Sequence, residues 1–537
     1  MFSRMLRAFA SLVLVFAFLS ADVAAQEAVI QQPPAKESAP VYLDQKTLLE
    51  FYDKRAGTVW LRGITTFQPR AEGALGVLGQ SWSHGLNPDK YHVPRLKALM
   101  AQGPSMNRSE FDMLLTDGIV RYARDISGNR IGNKGSSEGG KYWREPLTVQ
   151  QILDQVVDAA NPIAALNELA PQSKLYNALH QELIALAANA DEPFEQIETG
   201  ASLKPQDKNA AVPFIRARLG LEPAKSHAEV YDDETAAQVM KLQRRNAIKP
   251  DGVIGPATLA LLNRGPKQKM EQIVANMERL RGIEEKRPDR YIIVNIPSAS
   301  LWAVEKGDIA IEMPVVVGKE GRQTNSFRTE ISGVRFNPTW TVPPTIKRED
   351  LLPLLQSKPE RFLERGIRIT LNGAEVDPMT TDWSKVTPGT VGKYNMVERP
   401  GVENPLGRIR VLMENPYNIY LHDTNHREAF ATDERSLSSG CIRVAEPERL
   451  ANFILKSNKG WSWQRMLDII DTGKTRDISA EEKMPVYIAY QTVWLDSEGH
   501  LIYGKDIYGQ DAKLVQDIEK TDGIHIPEKI EQPQISL

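Results

Sequence analysis

The sequence predicts a multidomain α+β protein with a helical amino-terminal part and a β-rich carboxyl-terminal part. Three observations lead to this fold class. The chain has 537 residues, which is enough for two or three domains with cores of their own. Up to about residue 287, apolar residues recur at three- and four-residue spacing, which is the period of an amphipathic helix. From Tyr291 onward, short β-branched and aromatic runs separated by turn residues indicate strands.

The first 25 residues have the pattern of a cleavable secretory signal. Arg4 and Arg7 precede an apolar run over residues 8–19, and small residues then stand before Gln26. The run is shorter than the roughly 20 residues that a spanning helix needs, although an uncleaved membrane anchor stays open as an alternative. Residues 26–40 are predicted to be a flexible leader. We therefore expect an exported, periplasmic protein that meets the membrane only through its signal peptide.

Composition excludes one class of partner and draws attention to one residue. The net charge is −3 and no basic stripe dominates any region, which argues against a nucleic-acid partner. The chain has a single cysteine, Cys441, whereas exported proteins normally use cysteines in disulfide pairs. Cys441 is therefore a buried passenger, an intermolecular bridge or a reactive thiol.

Residues 41–205 are predicted to form a helical scaffold without an active site. Helical periodicity is clearest over residues 45–54, 109–124, 149–158 and 174–188. Three tryptophans are expected to anchor the packing of these helices: Trp60, Trp82 and Trp143. Three histidines are isolated in the sequence and are interpreted as structural or surface residues: His84, His92 and His180.

Residues 206–266 are predicted to be a compact unit, here called the three-helix module. Asp232 can begin a helix, Asp251-Gly252 supplies a tight turn, and Pro256 suits the first turn of another helix. The run LQRRNAIKPDGVIGPATLALLN closely resembles the three-helix peptidoglycan-binding module of cell-wall hydrolases. The resemblance implies that this module holds the cell wall; a helical domain without a ligand groove is the alternative. A linker helix is expected over residues 267–290.

Residues 291–510 are predicted to form a β-rich domain, here called the β domain. The strands expected from the pattern are 291–296, 301–304, 309–317, 408–413, 417–421, 486–490 and 493–495. A long insertion at about 345–396, with helical patches at 348–355 and 359–365, interrupts them. Connections of that length are usually functional, and this one is interpreted as a lid over a site. Residues 511–537 are expected to be a carboxyl-terminal tail.

The candidate chemistry centres on Cys441, which follows Ser438-Ser439-Gly440, and on His422, 19 residues upstream. A strand that ends near His422 places Tyr420 and His422 on one face. A histidine near a thiol can take its proton and return it to a leaving amine.

Neighbouring residues suit the supporting roles of such a site. The carbonyl or carboxylate of Asp423 is the nearest acceptor for the second ring nitrogen of the histidine. Gly440 lets the backbone approach a substrate, and the amides of Gly440 and Cys441 suit a developing oxyanion. The guanidinium of Arg443 suits a carboxylate.

These residues resemble the L,D-transpeptidase catalytic domain, whose hallmark is an upstream histidine and a downstream S/T-H-G-C segment. Ser439 stands where the family usually has histidine. That variant is typical of the larger multidomain branch, which also carries a wall-binding module and a capping insertion. The resemblance covers about residues 291–470, includes Asn404-Pro405-Leu406-Gly407, and implies a β-sandwich-like catalytic domain with a lid.

The resemblance also implies the reaction. Cys441 attacks the carbonyl of the third residue of a peptidoglycan stem, D-Ala leaves, and a thioester remains. An amine of a neighbouring stem then forms a 3→3 cross-link. The implied reaction needs no metal or organic cofactor, carbapenems are expected to acylate the thiol, and a regulatory cell-wall protein is an open partner.

Several residues and activities keep more than one interpretation. Trp340 and Tyr420 either line the substrate pocket or pack in the core, and Asn404 is more plausible as a turn residue than as a reactant. The order of histidine before cysteine disfavours papain-like peptidases, and the local context of the cysteine disfavours sortases. An L,D-carboxypeptidase, in which water resolves the thioester, and an inactive wall-binding scaffold are the alternatives to the transpeptidase.

Overall fold

A computed structural model describes residues 41–55, 57–62, 66–128, 131, 144–188, 194–283, 287–432 and 434–525. The expected signal peptide and leader, Trp143 and residues 526–537 lie outside the described residues. Within the described ranges, every helix is too short or too polar to cross a membrane.

The helical scaffold is confirmed as an α-helical layer with one large apolar core. Its helices are α1 (Gln45–Asp53), α2 (Pro69–Gly79), α3 (Val93–Ala101), α4 (Arg108–Ser127), α5 (Val149–Ile152), α6 (Pro162–Asn167) and α7 (Lys174–Ala187), with a small hairpin of β1 (Leu61–Arg62) and β2 (Thr66–Phe67). Trp60 and Trp82 are buried in this core. The histidines are structural but not isolated in space: His84 and His180 stack at 4.4 Å between ring centroids, and His92 contacts Asp117 at 2.7 Å.

Two segments predicted to be a linker and a tail belong to this same core. The expected linker helix is α11 (Pro266–Arg281), which packs against α7 and contributes buried residues such as Ile273 and Met277. The expected tail begins with α17 (Gln510–Thr521), whose Leu514 and Ile518 enter the scaffold core. The prediction of a tail was wrong for residues 511–525, because their apolar side chains find a partner only across long sequence separations.

The three-helix module contains α8 (Val212–Arg218), α9 (Asp233–Arg245) and α10 (Pro256–Leu262) around a small core of its own. Asp232 caps α9 by accepting a hydrogen bond from the amide of Thr235, as its position before the helix predicts. The buried Gln243 donates to Asp251, Val253 and Thr258 and accepts from the amide of Gly252. One glutamine side chain therefore holds the tight turn between α9 and α10.

The β domain is built on a nine-stranded mixed sheet that closes on itself, because β5 pairs with both β4 and β14. Its strands are β3 (Arg290–Asn295), β4 (Ser300–Glu305), β5 (Asp308–Gly318), β6 (Phe327–Phe336), β11 (Ile409–Met413), β12 (Leu421–His422), β13 (Ser436–Ser438), β14 (Ile442–Val444) and β15 (Arg476–Ala489). Helices α15 (Pro447–Leu455) and α16 (Trp463–Asp471) share its core. The hairpin of β16 (Val493–Leu495) and β17 (Leu501–Tyr503) leads back to the scaffold.

The insertion predicted to be a lid is a small α+β unit with a separate core. It contains β7 (Trp340–Thr341), α12 (Pro344–Ile346), a π-helical turn (Lys347–Leu351), α13 (Leu352–Ser357), α14 (Glu360–Glu364), β8 (Ile367–Leu371), β9 (Ala374–Val376) and β10 (Tyr394–Glu398). The helical patches were predicted, but the four-stranded sheet in the order β7-β10-β8-β9 was not. Its short strands carry mixed polar residues, so they give a weak periodic pattern.

Candidate active site

Three neighbouring strands bring the candidate residues to one face of the sheet. In the register of β11, β12 and β14, Arg410 lies opposite His422 and His422 lies opposite Arg443. Residues between them, such as Leu421 and Ile442, point into the core and are fully buried. Because side chains alternate along strands, the opposite face receives a set of polar residues. This set comprises Arg410, Tyr420, His422, Cys441 and Arg443.

The predicted strand over residues 417–421 was wrong in its first part. The side chain of Asn415 accepts from the amides of Tyr417 and Ile419 and donates to the carbonyl of Ile419. Asn418 has a left-handed φ of 53°. These local bonds replace strand pairing until Leu421. Tyr420 and His422 nevertheless meet, with 5.7 Å between ring centroids.

Cys441 is a partly accessible thiol immediately before β14. Its Sγ lies 3.7 Å from the carbonyl oxygen of Asn418, to which the thiol donates. Burial raises the pKa of the Cys441 thiol, although the amide and hydroxyl of Tyr420, which donate to Sγ, act in the opposite direction. The resting side chain is therefore a protonated thiol at neutral pH.

His422 is buried and neutral. Burial, followed by the positive charge of Arg443, lowers the pKa of the His422 imidazole to about 3. Its Nδ1 donates to the backbone carbonyl of Asp423. This bond fixes the tautomer and leaves Nε2 with a lone pair. Within the described ranges, no hydrogen bond yet joins Nε2 to the thiol.

The carboxylate of Asp423 has a different task from its carbonyl. It accepts from the amide of Arg408 at 2.9 Å and from the guanidinium of Arg427 at 2.9 Å. Gly407 makes this approach possible: its φ is +55°, and a Cβ there would stand 2.2 Å from the carboxylate of Asp423. Of the two acceptors expected at Asp423, the carbonyl holds the imidazole and the carboxylate holds the loop at Gly407.

The turn before the nucleophile is held by side chains that the sequence did not single out. Gly440 has φ +112°, which favours glycine. Its amide donates to Ser438 Oγ at 3.1 Å, so the expectation that this amide faces an oxyanion was wrong. Ser438 Oγ also donates to the carbonyl of Cys441, and Thr324 Oγ1 donates to the carbonyl of Gly440. The amide of Cys441 donates to no acceptor in the part of the chain that is described.

Ser439 is exposed and faces the lid. Its Oγ accepts from Arg322 at 2.8 Å. The same guanidinium forms ion pairs with Glu349 and Asp350 in the π-helical turn of the lid, both at 2.6 Å. Arg322 therefore joins the nucleophile turn to the lid. No sequence signal pointed to Arg322, because the contact to Ser439 spans 117 positions.

Two residues expected at the substrate are engaged elsewhere. Trp340 is buried in the core of the lid. Asn404 is buried, donates to the carbonyls of Pro338 and Arg399, and accepts from the amide of Leu406. Substrate contact is therefore not supported for either residue: Trp340 packs in a core, which was its other interpretation, and Asn404 holds a turn, which was its preferred one.

Tyr420 and Arg443 remain beside the thiol. Tyr420 packs against the cores of both the β domain and the lid. Burial lowers the pKa of the Arg443 guanidinium, and the described residues offer it no hydrogen bond or ion pair. Arg410 was not predicted; its guanidinium lies 3.9 Å from the centroid of the Tyr420 ring.

The described ranges contain no candidate metal site. No group of three or more His, Cys, Asp or Glu side chains there is arranged to hold a metal ion. His426, four residues after His422, is exposed and contacts Glu428 at 3.1 Å.

Comparisons with known proteins match three segments of the chain to families. Residues 289–488 match the family model of the L,D-transpeptidase catalytic domain. Residues 46–183 match a model described as "Scaffold domain", and residues 217–262 match one described as "Putative peptidoglycan binding domain".

Individual relatives are similar over part of the chain. A Haemophilus influenzae protein named "Putative L,D-transpeptidase" is 34% identical over 247 residues, which are 45% of this chain and 49% of that protein. The chain thus spans about half the length of this relative. Among solved structures, an Enterococcus faecium L,D-transpeptidase is similar over 38% of this chain and 50% of that chain, with 13% identity and a TM-score of 0.19. One from Mycobacterium smegmatis covers 37% and 58%, with 10% identity and a TM-score of 0.19.

Proposed function

Because this chain carries an L,D-transpeptidase catalytic domain joined to a peptidoglycan-binding domain, we propose that it is a peptidoglycan L,D-transpeptidase with Cys441 as its nucleophile. The observation that carries the proposal is the shared sheet face of Cys441 and His422, with Nδ1 of the imidazole held by the carbonyl of Asp423. The substrate is the peptide stem of peptidoglycan, and the enzyme acts outside the cytoplasm, where that polymer lies.

The first half of the reaction forms a thioester. Sγ of Cys441 attacks the carbonyl carbon of the third stem residue, and the thiol proton moves to Nε2 of His422. The bond to the D-Ala nitrogen then breaks, and the imidazolium returns that proton to the leaving amine. The low pKa of the imidazole favours this return, because the protonated ring beside Arg443 is a strong acid.

The second half transfers the acyl group to an amine. An amino group of a neighbouring stem, in the form of a meso-diaminopimelate side chain, attacks the thioester and gives up a proton through His422. The Cys441 thiol is regenerated and a 3→3 cross-link forms. The amide of Cys441, which has no acceptor among the described residues, suits the negative oxygen that develops in both steps.

The first test is intact-protein mass spectrometry after incubation with a carbapenem, with wild type beside Cys441→Ala. We expect one adduct on the wild type and none on the variant, because only the thiol can open the lactam ring. Retained binding of Cys441→Ala to isolated sacculi would show that the variant is folded. An adduct of equal yield on the variant would exclude Cys441 as the nucleophile.

A second assay separates transpeptidation from hydrolysis. Wild type is incubated with a disaccharide tetrapeptide, and D-Ala and muropeptides are measured by chromatography with mass spectrometry. A cross-linked dimer formed with D-Ala supports the transpeptidase. Tripeptide without dimer would instead support the L,D-carboxypeptidase.

A further inference from the structure

The row of residues that crosses the catalytic face is rich in arginine. Cross-strand partners connect β15, β6, β11, β12 and β14 in one line. In order, this arginine row contains Asp477, Arg335, Arg410, His422 and Arg443. Directly opposed residues lie on the same face of a sheet, and like charges in that position are destabilising. Placing Arg335 and Arg410 opposite each other therefore destabilises the fold unless an anion compensates their charge.

Direct ion pairing is confined to one end of the row, although the charges of Asp477 and Glu428 also act on Arg410 and Arg443. Arg335 forms two hydrogen bonds of 2.7 Å to the carboxylate of Asp477. Arg410 and Arg443 receive no ion pair from the described residues. Nε of Arg410 is buried and has no hydrogen-bond acceptor in the described ranges. Burying this Nε–H donor without an acceptor costs free energy, which a ligand that accepts from it would recover.

The position of Arg410 relates it to the reacting thiol. Its guanidinium lies 3.9 Å from the centre of the Tyr420 ring, whose hydroxyl donates to Sγ of Cys441. Arg410 and Arg443 stand on either side of His422 in the register. A ligand that reaches Cys441 past His422 thus meets a guanidinium on each side.

We infer that Arg410 binds a carboxylate of the donor peptide stem and sets specificity for anionic stems, together with Arg443. The inference rests on the proposed function, because that function identifies the stem as the substrate. A tetrapeptide stem carries three free carboxylates, and two of them belong to the residues that the scissile bond joins. One is the side-chain carboxylate of diaminopimelate at the third residue, and the other is the terminal carboxylate of D-Ala.

The test measures binding without turnover. Isothermal titration uses full-length Cys441→Ala protein, alone and combined with Arg410→Gln, and a tetrapeptide with diaminopimelate and a free carboxyl terminus. We expect Arg410→Gln to weaken binding about 10- to 100-fold, because a charge-assisted hydrogen bond is lost. The matched control is Arg335→Gln, in the same row, which should change binding less than about twofold because Asp477 already occupies Arg335.

Two modified peptides distinguish the source of the carboxylate. If Arg410 binds the terminal group, a peptide with a carboxyl-terminal amide binds equally to proteins with and without Arg410→Gln. If Arg410 binds the diaminopimelate carboxylate, the peptide with lysine at the third residue binds equally to proteins with and without Arg410→Gln. An Arg410→Gln effect of the same size for all three peptides, or none for any, overturns the inference, as does undetectable binding to Cys441→Ala.

The outcome for this inference is separate from the outcome for the proposed function. If wild type releases D-Ala but peptide binding does not depend on Arg410, the inference about Arg410 is wrong and the proposed function stands.

Discussion

Arg216 in the three-helix module and Arg410 on the catalytic face show two treatments of a shielded guanidinium in one chain. Arg216 is 4% exposed, and the chain satisfies it with the carbonyl of Glu222, the carboxylates of Asp232 and Glu234, and the hydroxyl of Thr235. Arg410 has an aromatic ring beneath it and no described acceptor. The first arrangement holds a fold together, whereas the second keeps charge available for a ligand.

The histidine of the candidate active site shows the same difference between satisfied and unsatisfied hydrogen-bonding atoms. His422 donates through Nδ1 but keeps Nε2 open, in the same way that Arg410 keeps its guanidinium open. Groups whose hydrogen bonds are satisfied within the chain should affect mainly stability. Groups that keep an unsatisfied hydrogen-bonding atom should affect mainly the reaction. Substitutions at each kind of group separate these two effects.

The largest expected effect is on the rate at His422. His422→Ala should slow carbapenem adduct formation about 10²- to 10⁴-fold, because the base that accepts the thiol proton is lost. Time-resolved mass spectrometry measures this rate. The matched control is His426→Ala, which removes an exposed histidine four residues away and should leave the rate unchanged. Equal rates for wild type and His422→Ala would exclude the imidazole as base.

Arg216 should show the opposite behaviour. Arg216→Met should lower the free energy of unfolding by about 2–3 kcal/mol, since several charge-assisted bonds are lost while the partner carboxylates remain partly exposed to water. Denaturant titration measures this change, and Arg244→Met, an exposed arginine of the same module, should stay within about 0.5 kcal/mol of wild type. If Arg216→Met had normal stability but slowed formation of the thioester, the assignment of Arg216 to stability would be wrong.

The pH dependence of adduct formation tests the burial of His422. A base works in its neutral form, and a pKa of about 3 keeps the imidazole neutral down to that pH. The rate at pH 5 should therefore lie within about twofold of the rate at pH 7, whereas a base with an ordinary histidine pKa would lose about 25-fold. The raised pKa of the Cys441 thiol keeps its thiolate fraction below that of a free cysteine at any given pH. A half-maximal rate near pH 6.5 would contradict this account.

The smallest effect is expected at the contact between the nucleophile turn and the lid. Arg322→Gln removes ion pairs to partly exposed Glu349 and Asp350, so the rate of adduct formation should change less than about fivefold. Hydrogen exchange over residues 344–357 should increase in the same variant. Arg368→Gln, which breaks an exposed ion pair within the lid, is the control and should alter neither measurement.

Local sequence was a good guide wherever the interacting residues are close along the chain. The helical periods, the cap at Asp232, the turn around Gly252 and the spacing from His422 to Cys441 all depend on neighbours within about twenty positions. The strand over residues 417–421 failed because Asn415 offers the backbone local bonds that compete with strand pairing. The helix at the carboxyl end failed because its partners lie in the scaffold.

By itself, the sequence determined the fold class, the presence of a lone thiol with an upstream histidine, and the likeness to a wall-binding module. Tertiary structure alone decided which guanidinium groups are saturated and which stay open. Asp477 pairs with Arg335 rather than with Arg410 because strand order and register put it next to Arg335. Likewise, the carboxylate of Asp423 turns to the loop at Gly407. Register arises from pairing between strands far apart in the chain, so no local pattern could reveal these partners.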